Sequence, residues 1–335
     1  MTVRIGINGF GRIGRSIFRI VSERRDMEVV AINDLYAPGD LAYLLKYDTV
    51  MGIFEQEIGW EEGALRVAGR RIPVSRERDP GRVPWAGAGA DVVIEATGVL
   101  RERAKLEPHL KAGAKKVILT VPPKDEVDAI IVLGVNDNVL TPAHRIVSNA
   151  SCTTNCLAPV ARVLEEIFGI ERGFMTTVHA YTNDQRLADV AHKDLRRSRA
   201  AARNMIPTTT GAARTVGKVL PRLQGRLDGL AVRVPVPDGS VVDLVVELKR
   251  EATAEEINRA MKSAADGSLK RILEYCEEPI VSSDIIGNSH SSIFDALSTR
   301  RIGPRAIRVL AWYDNEWGYS NRVVDLAARL AEMIA

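Results

Sequence analysis

The sequence predicts an α/β protein in two parts, a parallel-sheet domain followed by an α+β domain on a largely antiparallel sheet. Three observations carry this. Short apolar strands alternate with helices through the first 150 residues, a glycine-rich turn joins the first strand to the first helix, and beyond Cys152 the strands become longer and alternating. A chain of 335 residues has room for two domains with their own cores. The boundary is expected at 150, giving domains 1–150 and 151–315, with a final helix over 316–335 packing back on the first domain.

The elements follow in order. Val3–Asn8 reads as a strand and Gly11–Glu23 as a helix with Ile13, Ile17, Ile20 and Val21 on its apolar side. Glu28–Asn33, Asp91–Glu95 and Lys116–Thr120 are further strands, with a helix over Arg101–Ala112, and together they imply βαβ units. A strand beginning at Arg145 leads to a helix from Thr153 to Phe168, whose Leu157, Val160, Val163, Leu164 and Ile167 recur at helical spacing. Leu230, Val232 and Val234 share one strand face, and Val242, Leu244, Val246 and Leu248 share another, the pattern of a sheet covered on one side. Trp317 to Ala335 is amphipathic through Val323, Leu326, Ala327, Leu330 and Ile334.

Composition narrows the function classes. With 46% hydrophobic and 27% charged residues the chain is an ordinary globular protein, and a net charge of +3 is too small for a dedicated nucleic-acid surface. Three cysteines provide neither a disulfide framework nor a CxxC metal pattern, so no metal is expected and the compartment is reducing. The sequence enters a strand pattern at once and contains no apolar run of membrane-spanning length, so no leader and no membrane are expected, and the cytoplasm is the default.

Gly9-Phe10-Gly11-Arg12-Ile13-Gly14 matches G-x-G-x-x-G, follows a strand and opens a helix. Asp34 stands twenty residues beyond Gly14 at the end of the second strand. This is the context of a Rossmann-type dinucleotide site: glycines admit the pyrophosphate, the helix N-terminus faces its charge, and the carboxylate accepts from ribose hydroxyls. Asp34 repels a 2′-phosphate, which favours NAD over NADP. Cys152 stands near the start of its helix between Ser151 and Thr153, where unpaired N–H groups favour an anion and lower a thiol pKa. A lone cysteine is more often a small buried hydrophobe, but the flanking hydroxyls and the dinucleotide fingerprint favour a nucleophile. A thiolate beside a dinucleotide suits aldehyde oxidation through a thiohemiacetal and a thioester. Such a thiol needs a base. His179, ending a strand before the polar Thr182–Asp184, suits this best of the five histidines, although a structural histidine fits that position equally well.

Six runs then carry a resemblance: Ile7–Arg15 (INGFGRIGR), Leu45–Asp48 (LKYD), Ser148–Asn155 (SNASCTTN), Thr177–Asp184 (TVHAYTND), Ile206–Ala213 (IPTTTGAA) and Trp312–Tyr319 (WYDNEWGY). In this order they resemble the phosphorylating glyceraldehyde-3-phosphate dehydrogenase family along essentially the whole chain. The resemblance implies oxidation of D-glyceraldehyde 3-phosphate to 1,3-bisphosphoglycerate with NAD and inorganic phosphate, with Cys152 as nucleophile and His179 as its activating base. It implies NAD contacts from Arg12, Ile13, Asp34, Arg78, Thr120, Asn315 and Tyr319. Thr182 and Arg233 match residues that hold the substrate phosphate, whereas Ser151, Thr153, Arg197, Thr210 and Gly211 match the surroundings of the attacking phosphate. By local pattern alone, Arg233 reads as an edge-strand charge. The basic segment Thr182–Arg203 matches a loop that the family packs against neighbouring subunits, implying a homotetramer.

Two departures stand out. Val190-Ala191 replaces a Leu-Pro pair common in NAD-specific relatives, which implies some tolerance of NADP, and Val121–Lys124 differs without removing a ligand. Two rivals share the features so far: erythrose-4-phosphate dehydrogenase, which differs in the runs Tyr181–Asp184 and Thr208–Gly211, and a non-catalytic dinucleotide-dependent binding protein, against which Cys152, His179 and Arg233 argue.

Overall fold

The chain folds into two units, each around its own sheet; the computed structural model describes residues 2–334. Met1 and Ala335, the outer ends of the expected first domain and last helix, lie outside the described residues. The first unit comprises the residues through Ile131, Asn138–Ala150 and those from Ser320 on; the second holds Val132–Asp137 and Ser151–Tyr319.

In the first unit the strands run in the order Ala129–Ile130, Ile146–Ser148, Lys116–Leu119, Val92–Glu95, Val3–Asn8, Met27–Asn33, Arg70–Ser75, Ala64–Val67, Ile58–Glu61. All pairings through Arg70–Ser75 are parallel and the last two are antiparallel. Valines and isoleucines pack the sheet because parallel strands are buried on both faces. Ile5, Ile7, Val92, Val93, Ile94, Val117, Ile118 and Leu119 are all fully buried. The helix Arg12–Ser22 begins directly at the glycine turn, as the fingerprint requires. From Ser320 on, the helix Trp317–Ala331 belongs to this unit and buries Val323, Val324, Leu326, Ala327 and Leu330.

The second unit carries a seven-stranded sheet, ordered Ile206–Thr209, Leu227–Val234, Ile170–Ala180, Ser240–Leu248, Ala306–Tyr313, Ser292–Arg301, Leu273–Cys276. Four of its six pairings are antiparallel, as expected for the class; Ile170–Ala180 with Leu227–Val234 and Leu273–Cys276 with Ser292–Arg301 are parallel. Val242, Leu244, Val246 and Leu248 are buried as the alternation predicts. The face of Leu230, Val232 and Val234 is a correction: these three are only half-buried, and Leu227 and Ala231 are the buried residues of that strand. On the face of Leu227 and Ala231, Gly229 has no room for a side chain. A Cβ on Gly229 would lie 2.4 Å from the Met175 carbonyl oxygen. The helix Cys152–Ile167 starts one residue before the expected Thr153 and buries Leu157, Val160, Val163 and Leu164 against this sheet.

The glycines of the fingerprint divide by steric demand. Gly9 holds φ +93°, and a Cβ on Gly14 would sit 2.1 Å from the Gly9 carbonyl oxygen, whereas one on Gly11 would meet nothing within 4 Å. Gly14→Ala should therefore destabilise the fold by about 1–3 kcal/mol through overpacking, and Gly11→Ala should leave the melting temperature unchanged. Equal melting temperatures for Gly14→Ala and the wild type would remove the close-packing argument.

Candidate active site

The second unit brings three sequence-predicted residues, Cys152, His179 and Arg233, within mutual electrostatic reach. Ser151 is the N-cap of the helix, accepting from the Thr154 N–H at 3.1 Å, so Cys152 is the first helical residue. Ala150, just before the cap, is held at φ +56° and fully buried, a backbone conformation that L residues rarely adopt. Cys152 Sγ lies 3.5 Å from His179 Nε2. His179 sits near the end of the strand Ile170–Ala180, directly opposite Arg233 in the parallel neighbouring strand. That strand is interior, between Ile206–Thr209 and Ile170–Ala180, so Arg233 is not the edge charge its local pattern suggests.

His179 Nδ1 has two suitors, the Ala180 carbonyl oxygen at 2.7 Å and Arg233 Nη1 at 2.7 Å. The carbonyl can only accept and the guanidinium can only donate, so the ring serves one at a time. With the proton on Nδ1, it donates to Ala180 and the bare Nε2 faces the thiol as a base. With Nδ1 accepting from Arg233, Nε2–H faces the sulfur and supports a thiolate. Arg233 also donates to the Ala180 oxygen at 3.1 Å. Its cation therefore bears on the tautomer of the histidine.

Burial sets the resting charge of the pair. It raises the Cys152 thiol above its ordinary value, with Arg233 and the Thr153 N–H pulling it down. The depression expected from the helix N-terminus is thus outweighed by desolvation. Burial also pushes His179 down to about 3, reinforced by Arg233 and Arg197 and opposed by the Ala180 carbonyl. Tyr313, unnoticed in the sequence reading, completes the wall. Its hydroxyl bonds to Thr153 at 2.9 Å and Thr177 at 2.8 Å, and its ring meets His179 edge-on at 5.8 Å. Cys156 is fully buried beside Ser292 and the Ala311 carbonyl, its pKa pushed up by burial, as suits a packing residue.

The remaining site residues are placed as follows. Arg197 is turned to Asp184, Asp194 and Thr208. Thr210 accepts from the Ala212 N–H at the start of the helix Ala212–Val219, whose N-cap is Gly211. Thr182 donates its N–H to Gln185. Asn315 accepts from the Ser240 hydroxyl at 2.6 Å, and that hydroxyl accepts from the Ala180 N–H at 3.1 Å, so Asn315 is linked to the backbone beside His179. Tyr319 is buried in the first turn of the last helix. In the first unit Asp34 accepts from the Phe10 N–H at 2.6 Å, and Arg12 forms a two-pronged pair with Asp48 at 2.8 and 3.1 Å. Arg78 is exposed beyond the strand Arg70–Ser75, and Thr120 is buried against the Glu95 carbonyl. The uncapped start of the helix Arg12–Ser22, the open space at Gly11 and the Asp34 carboxylate fit a dinucleotide.

The family model of the glyceraldehyde 3-phosphate dehydrogenase C-terminal domain matches residues 151–315, and that of the NAD binding domain matches residues 3–103. The chain belongs to the glyceraldehyde-3-phosphate dehydrogenase family. The glyceraldehyde-3-phosphate dehydrogenase of Geobacillus stearothermophilus is 57% identical over 332 residues, 99% of either chain. That of Streptomyces coelicolor is 56% identical over 329 residues, 97% of this chain and 98% of its own. Glyceraldehyde-3-phosphate dehydrogenase 1 of Bacillus subtilis is 55% identical over 333 residues, 99% of either chain. This member of the dehydrogenase family is an oxidoreductase whose cofactor is NAD.

Within this dehydrogenase, a buried acid also bears on Cys152. Asp238 is 1% exposed and is pushed up to about 9 by burial and by the nearby Asp314 and Glu316 charges. A carboxyl raised in the folded state carries a proton there that the unfolded chain has lost, so stability falls as pH rises from the unfolded value toward 9. Asp238→Asn removes this dependence. Chemical denaturation should show the variant more stable than wild type at pH 8 by at least about 1 kcal/mol, with the gap closing toward pH 4. An equal gap at both pH values would assign the effect to packing.

Proposed function

We propose that this chain catalyses the phosphorylating oxidation of D-glyceraldehyde 3-phosphate to 1,3-bisphosphoglycerate with reduction of NAD. The observation that carries the reading is the contact of Cys152 Sγ with His179 Nε2 at the first turn of a capped helix, with Arg233 in register beside it. Cys152 adds to the aldehyde carbon as its proton passes to His179 Nε2, and the imidazolium hands that proton to the former carbonyl oxygen, giving the C–S bond and the hydroxyl of a thiohemiacetal. The chemistry supplied by bound NAD is hydride acceptance, which takes the Cys152 adduct from thiohemiacetal to thioester. His179 takes the hydroxyl proton of the adduct in that oxidation. Inorganic phosphate then attacks the thioester carbonyl, the C–S bond breaks, and the thiolate leaves to regain its proton.

Thr182 and Arg233 hold the substrate phosphate, and Ser151, Thr153, Arg197, Thr210 and Gly211 surround the attacking phosphate. Guanidinium, hydroxyl and N–H donors are the groups phosphate oxygens require. When a phosphate draws on Arg233, its donation to His179 Nδ1 ends and the ring reverts to the tautomer whose Nε2 is a base. Asn315, its oxygen committed to Ser240, keeps its NH2 to donate to the nicotinamide carboxamide. Asp34 and Arg12 hold the adenosine and pyrophosphate ends with the Gly9–Gly14 turn, and Ile13, Arg78, Thr120 and Tyr319 complete the cofactor contacts.

We also propose a homotetramer, supported by the apolar Leu187, Leu195 and Met205, which are 87%, 81% and 75% exposed in and beside the basic loop. Among the described residues no helix is long and apolar enough to cross a membrane. The free thiols suit the reducing cytoplasm.

NADH formation from glyceraldehyde 3-phosphate should require inorganic phosphate and should exceed the rates with erythrose 4-phosphate or with NADP⁺. Cys152→Ser should abolish it, Cys156→Ser should spare it, and His179→Asn should lower kcat by about 10²–10⁴-fold. Full turnover in Cys152→Ser would sink the mechanism. Arg233→Ala should weaken use of glyceraldehyde 3-phosphate far more than use of unphosphorylated glyceraldehyde, and should raise the pH at which Cys152 becomes alkylable. Equal losses with both aldehydes would point to packing alone.

A further inference from the structure

A row of polar side chains, buried but for the half-buried Ser75, ties together four strand ends in the first unit. Glu95 pairs across the sheet with Asn8, Asn8 with Asn33, and Asn33 with Ser75. The side chains bond in the same order. Asn8 Nδ2 donates to Glu95 Oε2 at 2.5 Å, Asn33 Nδ2 to Asn8 Oδ1 at 2.7 Å, and the Ser75 hydroxyl to Asn33 Oδ1 at 2.8 Å. Each is the last residue of its strand, so the Gly9 turn, Asp34, the segment to Arg78, and Thr97 begin directly beyond the row. Asn33 also accepts from the Glu77 N–H and donates to the Glu77 carbonyl, both at 2.9 Å, beside Arg78.

Glu95 anchors the row. It is 0% exposed, and its bonds among the described residues come from neutral donors. Oε1 accepts from the Thr97 N–H at 2.9 Å and from the Thr97 hydroxyl. Oε2 takes Asn8 together with His109 Nε2 at 3.1 Å. The Trp85 indole can only donate, and it gives its N–H to His109 Nδ1 at 3.0 Å, which leaves Nε2 to donate to Glu95. The backbone oxygen of Glu95 accepts the N–H and hydroxyl of Thr120 at 3.1 and 3.0 Å. A buried carboxylate is costly unless every lone pair is met, and here four donors meet it. One acid thus ties together the strand ends that lead into the Gly9 turn and Thr97, while its backbone carbonyl holds Thr120.

We propose that Glu95 is the positioning residue of the cofactor site, holding these loops at the spacing NAD requires before NAD arrives. The inference rests on the NAD assignment, and deepens it, because rigid loops lower the ordering cost of binding. Glu95→Gln keeps the size of the side chain and turns one acceptor into a donor facing donors. Calorimetric titration of the full chain with NAD should show the dissociation constant rising about tenfold or more, the scale of a lost hydrogen bond to a charged group. In the NAD-free variant the Phe10 amide, not itself bonded to Glu95, should exchange hydrogen faster, while Cys152 alkylation keeps its wild-type rate. A folded Glu95→Gln variant with wild-type NAD affinity and Phe10 exchange would overturn the proposal. If that variant does not fold, Asn8→Ala, which removes one rung, is held to the same two readouts. The wild-type dissociation constant, taken in the same series, tests the cofactor assignment separately.

Discussion

The parallel pairing of Ile170–Ala180 with Leu227–Val234 is the constraint on which the chemistry of the second unit depends. In a parallel ladder, residues opposite each other point to the same face, so the pairing that seats Gly229 beneath Met175 also sets Arg233 beside His179. A one-residue slip would turn Arg233 to the other face and leave the ring without its cation. Gly229 suits that register, because a larger side chain there would meet the Met175 backbone.

Electrostatics and burial pull against each other around Cys152. The helix start, the Thr153 N–H and Arg233 favour an anion, while desolvation favours the neutral thiol. Burial likewise favours a neutral imidazole. A pair held neutral at rest spares the fold a buried ion pair, whose desolvation is costly.

What could be read from the sequence was what is local in the chain. The glycine turn and the thiol between two hydroxyls are written in consecutive residues, and the periodicities located the helices Arg12–Ser22, Arg103–Lys111 and Cys152–Ile167 to within a residue or two, whereas Ala254–Asp266 went unread. Arg233 was legible only through resemblance, because its partner lies 54 positions away and only strand pairing joins them. Tyr313 and Glu95 escaped for the same reason: each sits in an apolar strand, and nothing nearby in sequence marks its polar end as shared. Leu230, Val232 and Val234 misled because alternation shows which residues share a face but not which face is tightly covered. The buried side here is that of Leu227 and Ala231.

The first unit is assembled from pieces separated by most of the chain, since its sheet is finished by Ile146–Ser148 but its last helix begins only at Trp317. During vectorial synthesis the sheet emerges before Val323, Val324, Leu326 and Leu330 are made, so the first unit gains these buried side chains only after the whole of the second has been synthesised. Domains that fold as they emerge normally close before their successors appear. This one is completed only after its successor, so a chain cut before Trp317 would carry the contact of Cys152 with His179 on a first unit that lacks its final helix.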